Sequence, residues 1–546
     1  MADRFSNRLT RNTVKFTSMA IATAGFVLLV FLLYTVATTT IPFDNDEANH
    51  AVDGWQVYWA LVHLNPSDLY RAIVNQSFYP PVHSIFVAIS YLLAGPGIAA
   101  SRMPSVVIAA VTVLGMAGLV WQISRSRSVD PWLCVSGATL SATLAIFNLN
   151  FILSSTLCML EMTGAMLGVL LVAIAYRIDR VGKRRSAWVA ASAIVATTIF
   201  LTKYSFGLFF GCGLVAAFFG ANFPGTLVRR QKLQFDRPIR RDIAIVLGIY
   251  AIVIGVWVFV THRPTMWLFF SGHPSYAPFW SLENLLFYPK AWLMDYSSHA
   301  IVGVFALILA IVGATSYSKQ LEVRVVTWSV VAAIGILTVS TTNSPRHLFV
   351  VVPTIWMLAG LGLTEVLRLL RYRGGERAIV RAIALLWGLL TIGAIEPAIG
   401  LHGELMANFE GLPVYTQMQD FGLENVDLDR PGLMLGWTSD QYRLLALRWR
   451  AAVLSGKSLD DLDFDYFPFD KRERSLHRTH RKPQMPSVDR DFPQEPLRAV
   501  LDRGYYAWAI VTRPLDEPPD DSLLVLQGYP HVIQVFEGWE TIVYQL

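Results

Sequence analysis

Residues 41–81 read IPFDNDEANHAVDGWQVYWALVHLNPSDLYRAIVNQSFYPP and follow the first long apolar segment of the chain. Within about three helical turns they hold five titratable side chains, those of Asp44, Asp46, Glu47, His50 and Asp53. Because desolvating an acid at a membrane edge is costly, acids are found there mostly where a function needs them. We therefore interpret residues 39–80, the first outer loop, as a catalytic loop.

The composition is that of an integral membrane protein. Of the 546 residues, 54% are hydrophobic and only 16% are charged, and the mean hydropathy is +0.44. Soluble domains average about a quarter charged residues, which excludes a soluble protein. The three cysteines form no CxxC pair, so neither a disulfide framework nor a zinc-binding pattern is predicted.

The net charge of +5 hides a difference between the two parts of the chain. From residue 401 onward there are 23 acidic and 15 basic residues, a balance of −8, so the remaining 30 basic and 17 acidic residues give +13. Cytoplasmic loops rich in Lys and Arg account for a basic membrane part. No basic groove interleaved with aromatic residues is evident, so we expect no nucleic-acid partner.

The N-terminal segment predicts an uncleaved anchor. Residues 16–38 are almost purely apolar, longer than a signal-peptide core, and lack a small-x-small cleavage site. The residues before them are basic, with Arg4, Arg8, Arg11 and Lys15. By the positive-inside bias the N-terminus is cytoplasmic, so the first outer loop begins on the extracytoplasmic face.

Ten further apolar segments satisfy the same bias, because each basic cluster between them then falls in a cytoplasmic loop. They lie at roughly 104–122, 131–148, 160–176, 186–201, 205–222, 243–260, 299–317, 325–342, 347–365 and 382–400. With the anchor we expect about 11–13 spans and an extracytoplasmic C-terminus. The segment 82–94 would be only about 20 Å long as a helix, so we interpret it as re-entrant, interfacial or half of a crossing pair.

The chain changes character after residue 400, where Pro, Asp and Arg become frequent. Hydrophobic patterns predict strands at 431–437, 505–514 and 531–546 and an amphipathic helix at 441–453. Residues 457–497 are rich in Lys, Asp and Pro and predict a long surface loop. We therefore expect a membrane domain of residues 1–400 and a small extracytoplasmic α/β domain of residues 401–546.

The acids of the first outer loop admit two interpretations. Asp44 and Glu47 fit a helix N-cap followed three residues later by a capping-box acid. Asp46, His50 and Asp53 are spaced i, i+4 and i+7 and therefore share one helix face. Such a face is either solvated and idle, or it holds a general base or a metal.

Other candidate side chains follow along the chain. Tyr79 precedes Pro80 and Pro81, which can open a helix, and His83 is either an interfacial histidine or a ligand. Glu161 stands at the outer start of a span, where an acid either snorkels to water or lines a cavity.

Three cations are predicted on the outer face, where the positive-inside bias makes them unusual. Lys203, Arg263 and Arg346 together therefore favour an anion site. Acids and cations on one side of a helical bundle suit deprotonation of a hydroxyl coupled to departure of a phosphate.

Five stretches together resemble the GT-C superfamily of polyprenyl-phosphate-sugar glycosyltransferases, in the branch of protein O-mannosyltransferases and lipid A aminoarabinose transferases. The more specific are DNDEANHA (44–51), similar to the first-loop acidic motif, and FYPPVHSIFVAISYLLAGPGIAASRMPSVV (78–107), similar to a "PP…ARLPS" stretch. Three weaker matches follow in family order: LCMLEMTGAMLGVLLVAIAYR (157–177), IFLTKYSFGL (199–208) and NSPRHLFVVVP (343–353). The resemblance covers roughly residues 15–400.

The resemblance implies a GT-C-like fold and an inverting transfer from a polyprenyl-phosphate-sugar to an acceptor hydroxyl. It implies that Asp46 is the general base, with Glu47 beside it, and that Glu161 is the second-loop acid. Lys203 would be the turn lysine and Arg346 a donor-phosphate contact, with Arg263 from the anion site as a further candidate. We expect a bacterial inner-membrane enzyme whose acceptor is a glycan, a lipid or a protein.

The metal requirement and the sugar stay open. The resemblance places His273 where some members keep a loop histidine near a metal, and His50 is the other candidate ligand of a divalent metal. However, Phe78 and Tyr79 stand where aminoarabinose transferases have an acid and a lysine. The candidates for contacts with the acceptor, or for a role in the loop, are His50, Asp53, Tyr79, His83 and His273.

Two alternatives belong to other functional classes. A flippase or transporter of a polyprenyl-linked glycan would need charges buried at mid-bilayer and inverted repeats, and no repeat is evident. A non-catalytic scaffold, in which the α/β domain binds envelope partners, would leave the acids of the first outer loop without a purpose.

Overall fold

The computed structural model describes residues 2–38, 43, 45–76, 79–180, 184–219, 237–261, 281–297, 299–340, 344–372, 375, 378, 413–436, 440–468, 497–502, 504–515, 521–536 and 539–546. Its contacts form two compact units, one of Met1–Thr35 with Ser105–His402 and one of Val36–Pro104 with Gly403–Leu546. The contacts thus group the first outer loop with the C-terminal residues, while the division into domains at residue 400 stays a prediction.

Most of the described residues are helical. In chain order the helices are α1 (Ala2–Thr38), α2 (Asn45–Val62), α3 (Pro66–Val74), α4 (Val82–Ala94), α5 (Ile98–Arg125), α6 (Pro131–Ile146), α7 (Leu149–Ser155), α8 (Leu160–Ile178), α9 (Arg185–Phe200), α10 (Tyr204–Phe219), α11 (Arg237–Thr261), α12 (Leu282–Met294), α13 (Ala300–Ser316), α14 (Leu321–Ser340), α15 (352–372), α16 (Pro413–Glu424), α17 (Asp440–Ser455) and α18 (Leu497–Leu501). Short 3-10 turns cover Pro345–His347, Phe349–Val351, Leu459–Asp461 and Asp521–Leu526.

The predicted membrane-spanning helices are present. Among the described residues, six helices are long and apolar enough to cross a membrane. The pair α6 and α7, bent by 68° at its break, is either a broken seventh span or a re-entrant loop. Four shorter apolar helices are α4, α9, α10 and α13. Ten of the eleven predicted spans coincide with helices, and the eleventh, 382–400, lies outside the described residues. The prediction of a polytopic helical membrane protein is confirmed.

Small residues let the helices of the first unit approach closely. Every residue from 347 to 365 is buried, so most of α15 lies inside the bundle. A Cβ added at Gly362 of α15 would meet the carbonyl oxygen of Leu309 on α13, and one at Gly213 of α10 would meet Ser329 on α14. In lipid there is no hydrophobic drive between helices, so such close backbone contacts supply much of the association energy.

In the second unit, helix α2 packs on α3 and on α4. Asn65 caps α3 by accepting hydrogen bonds from the backbone N–H groups of Ser67 and Asp68. Gly54 of α2 lies against the side chain of Val87 on α4. The short segment 82–94 is thus helix α4. Its placement as a re-entrant or interfacial segment, or as half of a crossing pair, stays a prediction.

The C-terminal residues build a five-stranded sheet of strands β1 (Gly432–Gly436), β2 (Phe464–Pro468), β3 (Trp508–Pro514), β4 (His531–Phe536) and β5 (Trp539–Gln545). The strand order is β2-β1-β3-β5-β4, with β1 parallel to β2 and β3, and β5 antiparallel to β3 and β4. The register places Leu433 beside Ala509 and Val511 beside Ile542, and these side chains form the core of the sheet.

The predicted small α/β domain is confirmed in outline and wrong in two places. Residues 531–546 form a hairpin of two strands rather than a single strand. The predicted surface loop 457–497 contains β2, which extends the sheet by pairing with β1, while 469–496 lie outside the described residues. The sequence FDYFP of β2 is acidic as well as aromatic, so it lacks the apolar run that predicts a buried strand.

Candidate active site

Glu47 and Arg102 form a buried ion pair at the start of α2. The Arg102 Nε donates to Oε1 of Glu47 at 2.9 Å, and its Nη2 donates to Oε2 at 2.7 Å. The exposed fractions are 1% for Glu47 and 4% for Arg102. Because both carboxylate oxygens accept from one guanidinium, the pair fixes the first turn of α2 against α5.

The predicted general base adjoins this pair. Asp46 lies in the first turn of α2, but its side chain and all of Asp44 are outside the described residues. Asp53 follows two turns later on the same helix and is half-buried. The structure therefore places the backbone of Asp46 directly before an anchored residue, and its role as a base remains a proposal.

His50, Tyr79 and His83 come together as a buried cluster of rings. The His50 ring centroid lies 5.0 Å from that of Tyr79 and 5.0 Å from that of His83, which meets it edge-on. All three side chains are buried. Each of them is a predicted acceptor or loop candidate, and the packing of α4 on α2 brings them into contact.

A divalent metal would need several ligands that converge on one point. Within the parts of the chain that the structure covers, no three His, Cys, Asp or Glu side chains converge as metal ligands would. His273 and Arg263 lie outside the described residues. The metal requirement therefore stays a prediction.

A second buried ion pair lies in the first unit. The Nζ of Lys203, in the turn between α9 and α10, lies 3.3 Å from Oε1 of Glu161 in the first turn of α8. Both side chains are 4% exposed, and the Lys203 ammonium lies 5.1 Å from the centroid of the Phe206 ring. Among the described residues, the buried Oε2 of Glu161 has no hydrogen-bond partner.

Tyr296 connects this region to the turn that carries Arg346. Its hydroxyl donates to the carbonyl oxygen of Pro345 at 2.5 Å. Burial, reinforced by the charges of Asp295 and Glu161, raises the pKa of Tyr296 well above its ordinary value. Tyr296 is therefore a neutral donor. In the 3-10 turn Pro345–His347, Arg346 is exposed.

Two of these residues carried no role in the sequence analysis. Arg102 lies within the quoted motif stretch, in SRMPSVV, and that motif was the signal that could have identified it. Tyr296 lies in the unremarkable segment MDYSSH, and no local pattern marks it.

Comparison with known proteins places this geometry in a known fold. No protein-family model and no curated protein sequence matches the chain. A crystal structure of ArnT from Cupriavidus metallidurans bound to undecaprenyl phosphate is similar, with a TM-score of 0.58 and 13% identity over 97% of this chain and 98% of that one. ArnT belongs to the GT-C superfamily. The chain has the GT-C fold.

Two further structures agree with this assignment of the GT-C fold. The Archaeoglobus fulgidus oligosaccharyltransferase, in complex with zinc and sulfate, has a TM-score of 0.51 and 11% identity, and the match covers 97% of this chain and 73% of that one. The arabinofuranosyltransferase AftD from Mycobacteria has a TM-score of 0.51 and 15% identity, and the match covers 96% and 40%. The resemblance seen in the sequence motifs is therefore confirmed at the level of the fold.

Proposed function

We propose that the chain is a membrane glycosyltransferase that transfers a sugar from a polyprenyl phosphate to an acceptor hydroxyl on the extracytoplasmic face of a bacterial inner membrane. The observation that carries the proposal is the buried Glu161–Lys203 pair in a GT-C fold. Ionisable side chains among membrane helices are rare even when they are paired, and they mark functional sites. An ammonium suits an anionic ligand, and a lipid phosphate is such a ligand. The ArnT structure with undecaprenyl phosphate supports this class of donor.

In the proposed reaction the cationic side chains stabilise the leaving group, which is the polyprenyl phosphate. The acceptor oxygen forms a bond to the anomeric carbon while the bond from that carbon to the phosphate oxygen breaks, and attack from the opposite side inverts the configuration. The departing polyprenyl phosphate gains negative charge, which Lys203, Arg346 and Arg263 neutralise. Glu161 orients Lys203 through the 3.3 Å contact between Nζ and Oε1.

The acids of α2 have different roles in this proposal. Asp46 accepts the proton that the acceptor hydroxyl loses. Glu47 binds Arg102 with both oxygens, which leaves it poorly suited to accept a proton, so it acts as an anchor for the neighbouring Asp46. The buried rings of His50 on α2, of Tyr79 just before α4 and of His83 on α4 are proposed to face the acceptor.

Replacement of Asp46 tests the function. In Asp46→Asn we expect transfer from radiolabelled polyprenyl-phosphate hexoses and pentoses to fall by about 10²–10⁴-fold, the usual contribution of a general base. The Tm in detergent should stay close to that of the wild type. Asp68→Asn is the matched control, because Asp68 lies on α3 in the same loop with a half-buried side chain.

Two results would contradict the proposal. Full transfer by Asp46→Asn would remove Asp46 from the mechanism. Translocation of a polyprenyl-linked glycan in liposomes, without any glycosidic product, would replace the transferase by the flippase alternative.

A further inference from the structure

Trp449 of helix α17 is buried within the second unit and contacts Phe43 and Tyr91. Its indole Nε1 donates to the hydroxyl oxygen of Tyr91 on α4 at 3.1 Å. Its ring meets the ring of Phe43 edge-on, with 4.7 Å between the centroids. Helix α17 therefore reaches, through one side chain, both α4 and the residue that lies two positions before α2.

From Phe43 the contacts continue to the ion pair at the start of α2. The guanidinium carbon of Arg102 lies 5.6 Å from the centroid of the Phe43 ring, a cation–π distance. Arg102 then binds both carboxylate oxygens of Glu47, which is the neighbour of Asp46. Each member of this series, Trp449, Phe43, Arg102 and Glu47, is buried.

A second series of contacts reaches α2 through Tyr91. The hydroxyl of Tyr91 lies 2.5 Å from Oγ of Ser101, directly before Arg102, and 3.4 Å from the carbonyl oxygen of Ala51 on α2. One buried hydroxyl thus joins α2, α4, α5 and, through Trp449, α17. Buried polar groups with several partners have few alternative positions, since each lost hydrogen bond costs the full desolvation of its partner.

We propose that helix α17 positions the first turn of α2, and that Trp449 is the positioning residue through which it acts. This inference rests on the proposed role of Asp46, since the first turn of α2 carries that residue. The C-terminal α/β domain then contributes to catalysis without contacting the reacting atoms. A misplacement of about 1 Å at a general base lowers turnover by up to about 100-fold, so a rigid support matters.

Hydrogen exchange tests the proposal without any substrate. In Trp449→Leu, which removes both the ring contact with Phe43 and the N–H donor, we expect the amides of residues 48–53 to exchange about tenfold faster in the full-length protein. Trp449→Phe keeps an aromatic edge toward Phe43 and should give a smaller increase. The amides of residues 56–62, at the other end of α2, should exchange as in the wild type.

Trp508→Phe is the matched control. Trp508 is as deeply buried as Trp449, at 1% exposure, and its indole N–H is bonded to the carbonyl oxygens of Asp427 and Arg430 within the C-terminal residues. It should lower the Tm while leaving exchange at 48–53 and the turnover of the folded enzyme unchanged.

Turnover supplies a second readout that simple loss of stability would not produce. For folded Trp449→Leu we expect kcat to fall about tenfold, with KM for the radiolabelled polyprenyl-phosphate sugar within about twofold of wild type. Unchanged exchange at 48–53 in Trp449→Leu, or an equal increase in Trp508→Phe, would overturn the proposal. Because exchange requires no turnover, that result is separate from a failure of Asp46→Asn to lose activity.

Discussion

The hydroxyl of Tyr296 donates a 2.5 Å hydrogen bond to the carbonyl of Pro345, and this bond ties the turn between α12 and α13 to the turn that carries Arg346. The two residues are 49 positions apart in the chain. The same Tyr296 experiences the charge of Glu161, the partner of Lys203. Tyr296 therefore connects the surroundings of Lys203 and Arg346, two of the three residues proposed to bind the donor phosphate.

This arrangement predicts how stability depends on pH in the alkaline range. Burial raises the pKa of Tyr296 above the value near 10 that it has when unfolded. Between the unfolded-state pKa near 10 and the higher folded-state pKa, the folded protein binds more protons than the unfolded chain. The contribution of Tyr296 to stability is therefore fully present below about pH 10. Above that pH it falls by about 1.4 kcal/mol per pH unit. In Tyr296→Phe we expect the Tm to fall less steeply between about pH 10 and pH 11.

The comparison depends on a tyrosine that is not buried. Tyr70 is 57% exposed, so Tyr70→Phe should follow the wild-type curve over the same pH range. Identical alkaline slopes for Tyr296→Phe and the wild type would show that this phenol is not shielded as described.

The Arg102–Glu47 pair predicts a large loss of stability when one partner is removed. In Arg102→Gln the Glu47 carboxylate stays buried without its cation, and we expect a cost of about 3–5 kcal/mol, measured as a lower Tm in detergent. The double variant Glu47→Leu with Arg102→Met removes both charges and should recover most of this loss. Its transfer activity should remain low, because the anchor of the first turn of α2 is gone. Activity restored together with stability would argue against the anchoring role.

The Glu161–Lys203 pair predicts an effect on donor binding. In Lys203→Gln we expect the Kd for undecaprenyl phosphate to rise about 10–100-fold, the usual loss for a hydrogen bond to a charged group. Lys290→Gln is the control, since Lys290 is exposed on α12 in the same unit. The Kd for undecaprenyl phosphate of each variant and of the wild type would be measured by tryptophan fluorescence in detergent. Equal affinities of Lys203→Gln and the wild type would remove Lys203 from the phosphate site.

Close helix packing predicts opposite effects at two glycines. A Cβ at Gly362 would meet the backbone carbonyl of Leu309, which cannot move aside cheaply, so Gly362→Ala should lower the Tm by several degrees. Gly335 on α14 has no heavy atom within 4 Å of the corresponding position. Gly335→Ala should therefore be neutral or stabilise by up to about 1 kcal/mol, because alanine favours the helix. Equal losses of Tm in both variants would contradict this description of the packing.

Local patterns in the sequence predicted the membrane helices and most of the strands of the sheet. In lipid every backbone polar group must be satisfied within its own segment, so apolar runs such as those of α8 and α11 predict helices directly. Short apolar runs predicted β1 and β3, because a strand that is buried on both faces has a continuous apolar sequence. The strand β2 was missed since its position depends on pairing with the distant β1.

The sequence by itself determined which residues bear charge at the ends of the helices, and it named Glu47, Glu161, Lys203 and Arg346 on that basis. Only the tertiary structure decided their partners. Glu47 meets Arg102 across 55 positions, and Glu161 meets Lys203 across 42. Helical periodicity predicts the face on which a side chain lies, whereas contacts between helices depend on how whole helices pack, which no local pattern specifies.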